Sequence, residues 1–381
     1  MYRLYFAERD TTLYERHPER NTGIDSILEL VKEVSASRFE GEILGQTYNS
    51  RILIDFESQI TSLSASIAAG TIPPIGTSAT SASVYLNLRC ASADSLPSNY
   101  TLYAYPVSES WSNGNGSYDD TPETTLGASW YYRTGKRIST PLTWNTGSGH
   151  SSGQTSTRIG GGTWITGSGY EANQTFINAE SPDVRMDVTN IVDKWIKGTI
   201  TNNGFIIKRL TENETNGDIY GSIKFYSRDT NTIYIPRLEV AWDDSNNSGT
   251  GSFTEVTSDI YVPYFKNIRD QYREIEKAKF RLGVRPEFPS KSYQTSSFYL
   301  TQDRLPITSY YAVKDAVTEE TIIPFDTKAT KISCDTNGNY IKLDLNTFLP
   351  DRYYKLILKI VRDNGDDIQV HDNGYYFKVV R

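Results

Sequence analysis

The side chains that most often carry catalysis are few and scattered in this sequence of 381 residues. Its three histidines, His17, His150 and His371, have no spacing to one another or to a cysteine that would suit a zinc site. There is no GxSxG elbow and no Walker-type phosphate loop, and Gly160–Gly162 lie in a polar stretch without a following helix. We therefore expect surface or loop histidines, and predict no catalytic and no cofactor-binding residue.

Carboxylates are a second source of chemistry, because glycoside hydrolysis uses two of them. Acidic residues lie close together in three places, Asp119 and Asp120, Asp183 and Asp187, and Asp243 and Asp244. Turns and helix caps account for all of these positions. A polysaccharide-degrading enzyme is therefore the last of three functional hypotheses.

Calcium is the metal ion that the loop residues of this chain could bind, since it takes carboxylate, amide and carbonyl oxygens. Asp10, Asn21 and Asp25 lie near the start of the chain, and Asp243 follows the last strand predicted before residue 250. These four residues could form a structural site if the two ends of that region pair. The alternative is that they serve ordinary turns.

Aromatic side chains in loops suggest sugar binding, because pyranose rings stack on flat side chains. The main candidates lie in a region rich in Gly, Ser, Thr and Asn, about residues 108–175: Trp111, Tyr118, Trp130, Trp144, Trp164 and Tyr170. They could contact a glycan or a protein partner. The alternative is that most of them anchor ordered loops, because a disordered linker would be poor in aromatic residues.

Short alternating segments predict the strands that must position these side chains. Each segment runs about five to seven residues and ends in a turn-forming residue: RILIDFE (51–57), SVYLNLRC (83–90), YTLYAYP (100–106), GFIIKRL (204–210), IKFYS (223–227) and PRLEVAW (236–242). Before residue 250, only Thr189–Gly198 has a convincing helical pattern, with Asp187 or Thr189 at its start and Gly198 at its end. This pattern predicts a β-sandwich closed by one short helix.

The last 130 residues predict a second, smaller β-domain. The segments NYIKLDLNTF, YYKLILKIVR and GYYFKVVR are strand-like, and the DNG turn at Asp363–Gly365 predicts a hairpin. Weaker strands are expected near Thr295–Leu300 and Tyr310–Val313, and residues 267–281 could form a short helix or a polar strand pair. We predict an all-β protein with a jelly-roll sandwich at residues 1–244, a linker at 245–253, and an immunoglobulin-like sandwich at 254–381.

Charge and composition limit the function. The net charge is −7, and because residues 251–381 carry 19 basic and 18 acidic side chains, the first 250 residues carry −8. This acidic region is a poor candidate for nucleic-acid binding. We also expect no membrane insertion, since no long apolar run is present, no signal peptide at the N-terminus, and no disulfide between Cys90 and Cys334, which fall in different predicted domains.

Several segments, taken in order, resemble the DNRLRE-type domain, a jelly-roll module related to carbohydrate-binding module family 96. The resemblance covers about residues 8–243 and rests on these segments: DTTLYERHPERNTGIDSILEL, RILIDFE, SVYLNLRCA, YTLYAYPVSESW, DVTNIVDKWIKG, GFIIKRL, IKFYSRD and IPRLEVAWDD. The series from DVTNIVDKWIKG onward is the most specific part. The chain departs from the family in its middle, where a long insertion replaces a tight Trp-Thr-Trp stretch.

The resemblance implies a non-enzymatic module of the sugar-binding type. Together with the missing export signal and the C-terminal β-domain, it suggests a structural protein of a tailed-phage particle, assembled in the host cytoplasm. The neck or collar, the tail, the baseplate or a capsid-surface fibre are all open locations. The expected partners are other virion proteins and further copies of the chain, and the alternative function is binding of host polysaccharide.

Overall fold

The computed structural model describes residues 1–34, 47–144, 151–152, 160–177, 180–249, 251, 253–257, 259–288, 303–362 and 365–381. Strands make up 45% of it and helices 9%, and the strands form several antiparallel sheets. The predicted all-β class is therefore confirmed. Among the helices of the described ranges, none combines the length and the hydrophobicity needed to cross a bilayer.

In the described part of the first 241 residues there are fourteen strands and three α-helices. The strands are β1 (Tyr2–Phe6), β2 (Arg9–Tyr14), β3 (Ile27–Val34), β4 (Thr47–Asp55), β5 (Ser83–Leu88), β6 (Cys90–Asp94), β7 (Asn99–Pro106), β8 (Ser151–Ser152), β9 (Thr163–Trp164), β10 (Ala172–Ile177), β11 (Val184–Asp187), β12 (Phe205–Arg209), β13 (Gly221–Tyr226) and β14 (Arg237–Ala241). The helices are α1 (Glu57–Ala68), α2 (Thr189–Ile196) and α3 (Thr211–Thr215). One sheet has the order β1-β14-β5-β11 and a larger one the order β10-β7-β12-β4-β3-β13-β6, in which β2 also pairs with β4.

The remaining strands form two further sheets. They are β15 (Tyr261–Phe265), β16 (Gln271–Arg273), β17 (Lys277–Pro286), β18 (Ser309–Asp315), β19 (Thr321–Ile323), β20 (Ser333–Asp335), β21 (Gly338–Asp344), β22 (Arg352–Arg362) and β23 (Asp367–Val380). Their orders are β15-β17-β21-β20 and β16-β23-β22-β18-β19. Phe280 of β17 and Phe377 of β23 lie 5.4 Å apart between ring centres and are fully buried. An aromatic core thus joins the two sheets face to face.

The chain divides into two compact units. The first unit consists of residues 5–77 and 83–239, and the second unit of residues 1–4, 78–82 and 240–381. The predicted linker, residues 245–253, falls within the second unit as far as it is described, where Gly249 donates its backbone N–H to the carbonyl of Cys334 at 3.1 Å. Both cysteines are free thiols.

Helix α2 occupies the place that its sequence predicts. Asp187 accepts the backbone N–H of Thr189 at 2.9 Å, and Gly198 follows the helix with a φ of +68°. Trp195 packs against Phe205 of β12 at 4.6 Å between ring centres, while Thr189 accepts the N–H of Val84 of β5 at 2.9 Å. The helix therefore contacts a strand of each main sheet of the first unit.

The expectation of a single helix before residue 250 is wrong, because α1 is a helix of twelve residues. Its sequence, ESQITSLSASIA, is rich in Ser, Thr and Ala and buries only Ile60 and Leu63, so its apolar stripe is narrow. A weak stripe gives a weak periodic signal. The short helix α3 also escaped the sequence analysis, since only Glu214 of its five residues is buried.

The C-terminal strand predictions have mixed outcomes. The strands on either side of the predicted DNG turn pair with each other, from Arg362 and Asp367 outward, as a hairpin requires, while residues 363–364 of the turn lie outside the described residues. The weak strand at residues 310–313 lies inside β18, whereas the one at 295–300 lies outside the described residues. Residues 271–273 and 277–281 are strands, but β16 pairs with β23 and β17 with β15 and β21, so they do not pair with each other.

Candidate functional site

The four tryptophans of the insertion are buried, which corrects their proposed role as sugar-stacking platforms. Trp111, Trp130, Trp144 and Trp164 are at most 4% exposed and belong to one apolar cluster. A ring whose faces are packed against protein cannot stack on a pyranose. The alternative interpretation, in which these residues anchor the loops, agrees with their burial.

A covered sheet face explains why the tryptophans are inside. Leu53 of β4, Ile206 of β12 and Tyr105 of β7 lie side by side in register. Alternate side chains point to opposite faces of a sheet. These three side chains therefore lie on the face of the sheet that does not bear Ile52 and Ile54. Both sets are buried. The insertion therefore forms a second core on a sheet whose other face already packs inside the sandwich.

A buried ionic cluster fastens the insertion to this face. The guanidinium of Arg51 donates to both carboxylate oxygens of Glu214, at 3.2 and 2.7 Å, and to the carbonyl of Gly161 at 2.6 Å. Its centre lies 4.8 Å from the ring of Trp130 and 5.1 Å from that of Trp164. Arg51 thus has ionic, hydrogen-bonding and cation–π partners at once, an arrangement that offsets its desolvation.

Lys208 completes the cluster from the neighbouring strand. Its Nζ lies 3.0 Å from the second carboxylate oxygen of Glu214 and donates to Thr211 at 3.3 Å. Burial lowers the pKa of Lys208 to about 8, while Arg51 and Lys208 together hold the pKa of Glu214 below its usual value against the effect of burial. The charges of the cluster are structural, since every one of them is enclosed.

The triple glycine fits closely into this interior. Gly160, Gly161 and Gly162 have φ angles of +115°, +85° and +87°. A Cβ on Gly161 would lie 2.4 Å from Nη1 of Arg51. Gly160 and Gly161 are needed because the backbone there passes directly over Trp130 and Arg51, while a Cβ on Gly162 would lie 2.8 Å from Ile206.

Asn21, one of the four calcium candidates, has a structural role. Its amide nitrogen donates to the carbonyls of Asn113 and Ala128 at 2.7 and 2.8 Å, and its oxygen accepts the N–H of Gly116 at 2.9 Å. The side chain is fully buried, so it ties two turns of the insertion together. Its oxygen is already engaged and does not face solvent.

The other three calcium candidates also have protein partners. Asp10 accepts the N–H of Arg228 at 2.6 Å, Asp25 accepts that of Tyr118 at 3.1 Å, and Asp243 of the second unit pairs with Lys331 at 2.8 Å. Within the described ranges, no three His, Cys, Asp or Glu residues converge on a point where a metal ion could sit. The calcium site stays a hypothesis without geometric support.

Several of the adjacent carboxylates considered for glycoside hydrolysis accept backbone N–H groups of the protein. Asp120 accepts the N–H of Ser117 at 2.9 Å, and Asp183 accepts that of Cys90 at 2.8 Å. Asp187 caps α2, as described above. Of the histidines, His371 lies beside Tyr261 at 5.4 Å between ring centres, and His150 lies outside the described residues.

Tyr118 is the predicted aromatic residue that borders a groove. The residue is 37% exposed, and its ring lies 4.9 Å from that of Tyr14 and 5.6 Å from that of His17, between ring centres. The groove has a volume of about 60 Å³, and β2, β3 and β4 supply most of its walls. Its lining residues are Tyr14, Arg16, His17, Glu29, Val31, Glu33, Tyr48, Asn49, Ser50 and Tyr118. We call it the Tyr118 groove.

Apart from Tyr118, no lining residue of the groove was a predicted site residue. The one available signal was the alternation in LELVKEV, where Leu28 and Leu30 are buried and Glu29, Val31 and Glu33 are partly exposed. Tyr170, the last predicted aromatic, lies outside the groove and packs under Nζ of Lys194 at 4.6 Å.

The second unit has an exposed face of a different kind. Four side chains of β22 and β23 are about half exposed: Tyr353 52%, Ile368 54%, Val370 58% and Tyr376 49%. On β22, Tyr353 is exposed, whereas Tyr354, Leu356, Leu358 and Ile360 are buried. We call this surface the β22–β23 face. The register sets Lys378 opposite Tyr353 and Lys355 opposite Tyr376, so lysines and tyrosines are interleaved there.

No model of a known protein family matches the chain, and comparison with curated proteins finds no significant match either.

Proposed function

We propose that the chain is a non-enzymatic structural component of a tailed-phage particle that acts through protein–protein assembly. The observation that carries the proposal is the β22–β23 face, where tyrosines and aliphatic side chains are exposed on two paired strands. Contiguous apolar surface on a folded protein marks interaction sites, and tyrosine is enriched at the centre of interfaces. The proposed location is the virion, in its neck or collar, tail, baseplate or surface fibres.

The finer architecture belongs to the same proposal. The first unit is proposed to be a jelly roll of the DNRLRE type, and the second an immunoglobulin-like sandwich that docks to the particle. The second unit has one sheet of four strands and one sheet of five strands, and this two-sheet arrangement supports such a sandwich. Assembly around a particle axis would make the chain a homo-oligomer.

Replacing two aliphatic residues of the face tests the assembly. We expect the expressed chain to form oligomers, measured by size-exclusion chromatography with light scattering. The double substitution Ile368→Lys and Val370→Lys should shift these oligomers towards monomers. Ile219→Lys is the matched control, since Ile219 is 61% exposed in the first unit. A chain that is monomeric at every concentration, or purified phage particles whose protein inventory lacks it, would contradict the proposal.

A second candidate function is binding of host polysaccharide, and the observation that favours it is the exposed ring of Tyr118 at the edge of a groove. Aromatic rings beside carboxylates and an arginine are the side chains that sugars contact. This function would suit a receptor-contacting position on the same particle.

A further inference from the structure

A lysine side chain is enclosed near the end of strand β3, in the first unit. Lys32 is 0% exposed and lies on the same face of the strand as the buried Leu28 and Leu30. Its Nζ donates to the backbone carbonyls of Asn213 and Asn216 and to Oδ1 of Asn216, each at 2.6 Å. All three hydrogen bonds therefore go to uncharged oxygens, and none of these partners balances the charge of an ammonium group.

The side chain of Asn216 lies within reach of this nitrogen. Because a C=O bond measures about 1.23 Å, the contact between Nζ and Oδ1 places Cγ of Asn216 no more than about 3.8 Å from Nζ. Bonds form from separations of about 3 to 3.5 Å when the reacting groups are held in place. The sheet brings the two groups together, since Lys32 of β3 pairs with Gly221 of β13, which follows shortly after Asn216.

The amide group of Asn216 is held by groups that suit a nucleophilic attack on it. Oδ1, where negative charge develops when a nucleophile adds to Cγ, accepts the backbone N–H of Asp218 at 3.2 Å. A donor at that oxygen stabilises the tetrahedral intermediate of acyl transfer. Nδ2 donates to the carboxylate of Asp218 and to the hydroxyl of Tyr220, both at 2.9 Å. Groups that carry protons therefore lie beside the nitrogen that must be protonated before it can leave.

Lys32 becomes a nucleophile when it loses a proton. Burial lowers the pKa of Lys32 below its usual value, and the negative charge of Asp218 only partly counters this effect. Desolvation activates lysine nucleophiles in the same way in enzymes. The proton directed at Oδ1 points towards the amide group of Asn216, so its loss leaves the lone pair of Nζ facing Cγ.

From this geometry we infer that Lys32 and Asn216 form an intramolecular isopeptide bond, a covalent modification that goes beyond the proposed function. The bond between Nζ and Cγ forms while the bond between Cγ and Nδ2 breaks. Of the three protons on the ammonium group of Lys32, one stays on the new amide. The other two pass to Nδ2 through the carboxylate of Asp218, and Nδ2 leaves as ammonium. The reaction consumes no oxidant, no cofactor and no external nucleophile.

The bond would tie together two segments that are 184 positions apart in the sequence. A covalent link across so long a loop restricts the unfolded chain. The unfolded parent chain should therefore stay compact in denaturing gel electrophoresis and migrate faster than a variant without the link.

Intact-mass spectrometry of the full chain tests the inference. Loss of one ammonia makes the chain about 17 Da lighter than the mass calculated from its sequence. Trypsin should release a branched peptide that joins residues 21–38 to residues 210–224, because a linked Lys32 resists cleavage. Lys32→Arg and Asn216→Ala should each have the calculated mass. Asp218→Ala should lower the cross-linked fraction at least fivefold.

A control is needed because a cyclic succinimide at Asn216–Gly217 would also release ammonia. A mass loss that persists in Lys32→Arg would overturn the isopeptide bond in favour of the succinimide. Lys197→Arg, at a surface lysine beside α2, is the matched control and should keep the loss. Circular dichroism verifies that each variant is folded.

The parent chain decides the question even where a variant fails to fold. A parent chain with the calculated mass, or a digest without the branched peptide, would overturn the inference. Complete cross-linking in Asp218→Ala would overturn the catalytic role of that carboxylate.

Discussion

At the scale of single residues, Asp10 is the carboxylate whose setting departs most from its sequence context. It looked like a loop ligand for calcium, yet its side chain is 1% exposed and its recorded hydrogen bond comes from the backbone of Arg228. Burial raises the pKa of Asp10 to about 7, an effect that this hydrogen bond only partly counters. The folded protein therefore holds a proton on Asp10 over a range of pH in which the unfolded chain has released it.

This pKa makes stability depend on pH in a definite direction. Because the folded pKa of Asp10 lies above the unfolded value of about 3.9, its contribution is complete below pH 4 and is lost as pH rises through 7. Because of Asp10, the unfolding free energy of the parent chain should fall by roughly 2.5 kcal/mol between pH 5 and pH 8. We expect Asp10→Asn to abolish this fall. Urea denaturation at the two pH values measures it.

Asp193→Asn is the control for this measurement, since Asp193 pairs with Lys197 on the surface of α2. It should keep the pH dependence of the parent chain. Equal pH dependence in Asp10→Asn and the parent would show that Asp10 is ionised in the folded state.

At the scale of elements, the start of helix α1 is stabilised by a residue that lies far from it in the sequence. Glu8, fifty residues before the helix, accepts the backbone N–H groups of Ser58 and Gln59, each at 3.1 Å. The first N–H groups of a helix have no partner within it, and a carboxylate there also suits the helix dipole. A local pattern cannot reveal a cap supplied from a distant segment such as the turn between β1 and β2.

Removing this cap should weaken the first unit. We expect Glu8→Ala to lower the unfolding free energy by about 1 kcal/mol, the usual effect of losing a helix N-cap. Glu8→Gln keeps an oxygen in the same place and should retain most of that energy. Chemical denaturation compares the two variants, and a Glu8→Ala variant as stable as the parent would show that Glu8 does not stabilise the helix start.

The elements that could be predicted from the sequence are those whose pattern lies within a few neighbouring residues. Alternation located β4, β5, β7, β12, β13 and β14, and capping residues located α2, because both patterns lie within a few neighbouring positions. The Tyr118 groove was not predictable, since it joins Tyr14, Glu33 and Tyr118 from separated segments. The burial of the tryptophans could be inferred from composition only as an alternative, because no sequence pattern shows which face of a sheet a loop covers.

At the scale of the whole molecule, the second unit is built from distant parts of the chain. Tyr2 is 2% exposed, its hydroxyl donates to Asp326 at 3.1 Å, and its carbonyl accepts the hydroxyl of Thr347 at 3.2 Å. Residues 1–4 therefore belong to the same compact unit as residues 240–381. A division of the chain by sequence position alone would separate groups that pack together.

A substitution at this position tests that organisation. We expect Tyr2→Ala to destabilise the second unit by about 3 kcal/mol, as for other large buried aromatic residues, and to speed amide exchange in β21. Tyr353→Ala, at an exposed tyrosine of the same unit, should change stability by less than about 0.5 kcal/mol. Hydrogen exchange followed by mass spectrometry reads both, and unchanged exchange in Tyr2→Ala would contradict the assignment.

The ionic cluster under the insertion also sets an order of events during folding. Arg51 reaches Glu214 across 163 positions of sequence and Gly161 across 110. Contacts that close such long loops form late, because chain entropy is lost before they contribute. The strand pairing that sets Leu53 beside Ile206 closes a loop of similar length, so until both contacts form these apolar side chains are open to water and to neighbouring chains. We therefore expect refolding yield to fall as protein concentration rises, with aggregation competing against closure of the insertion.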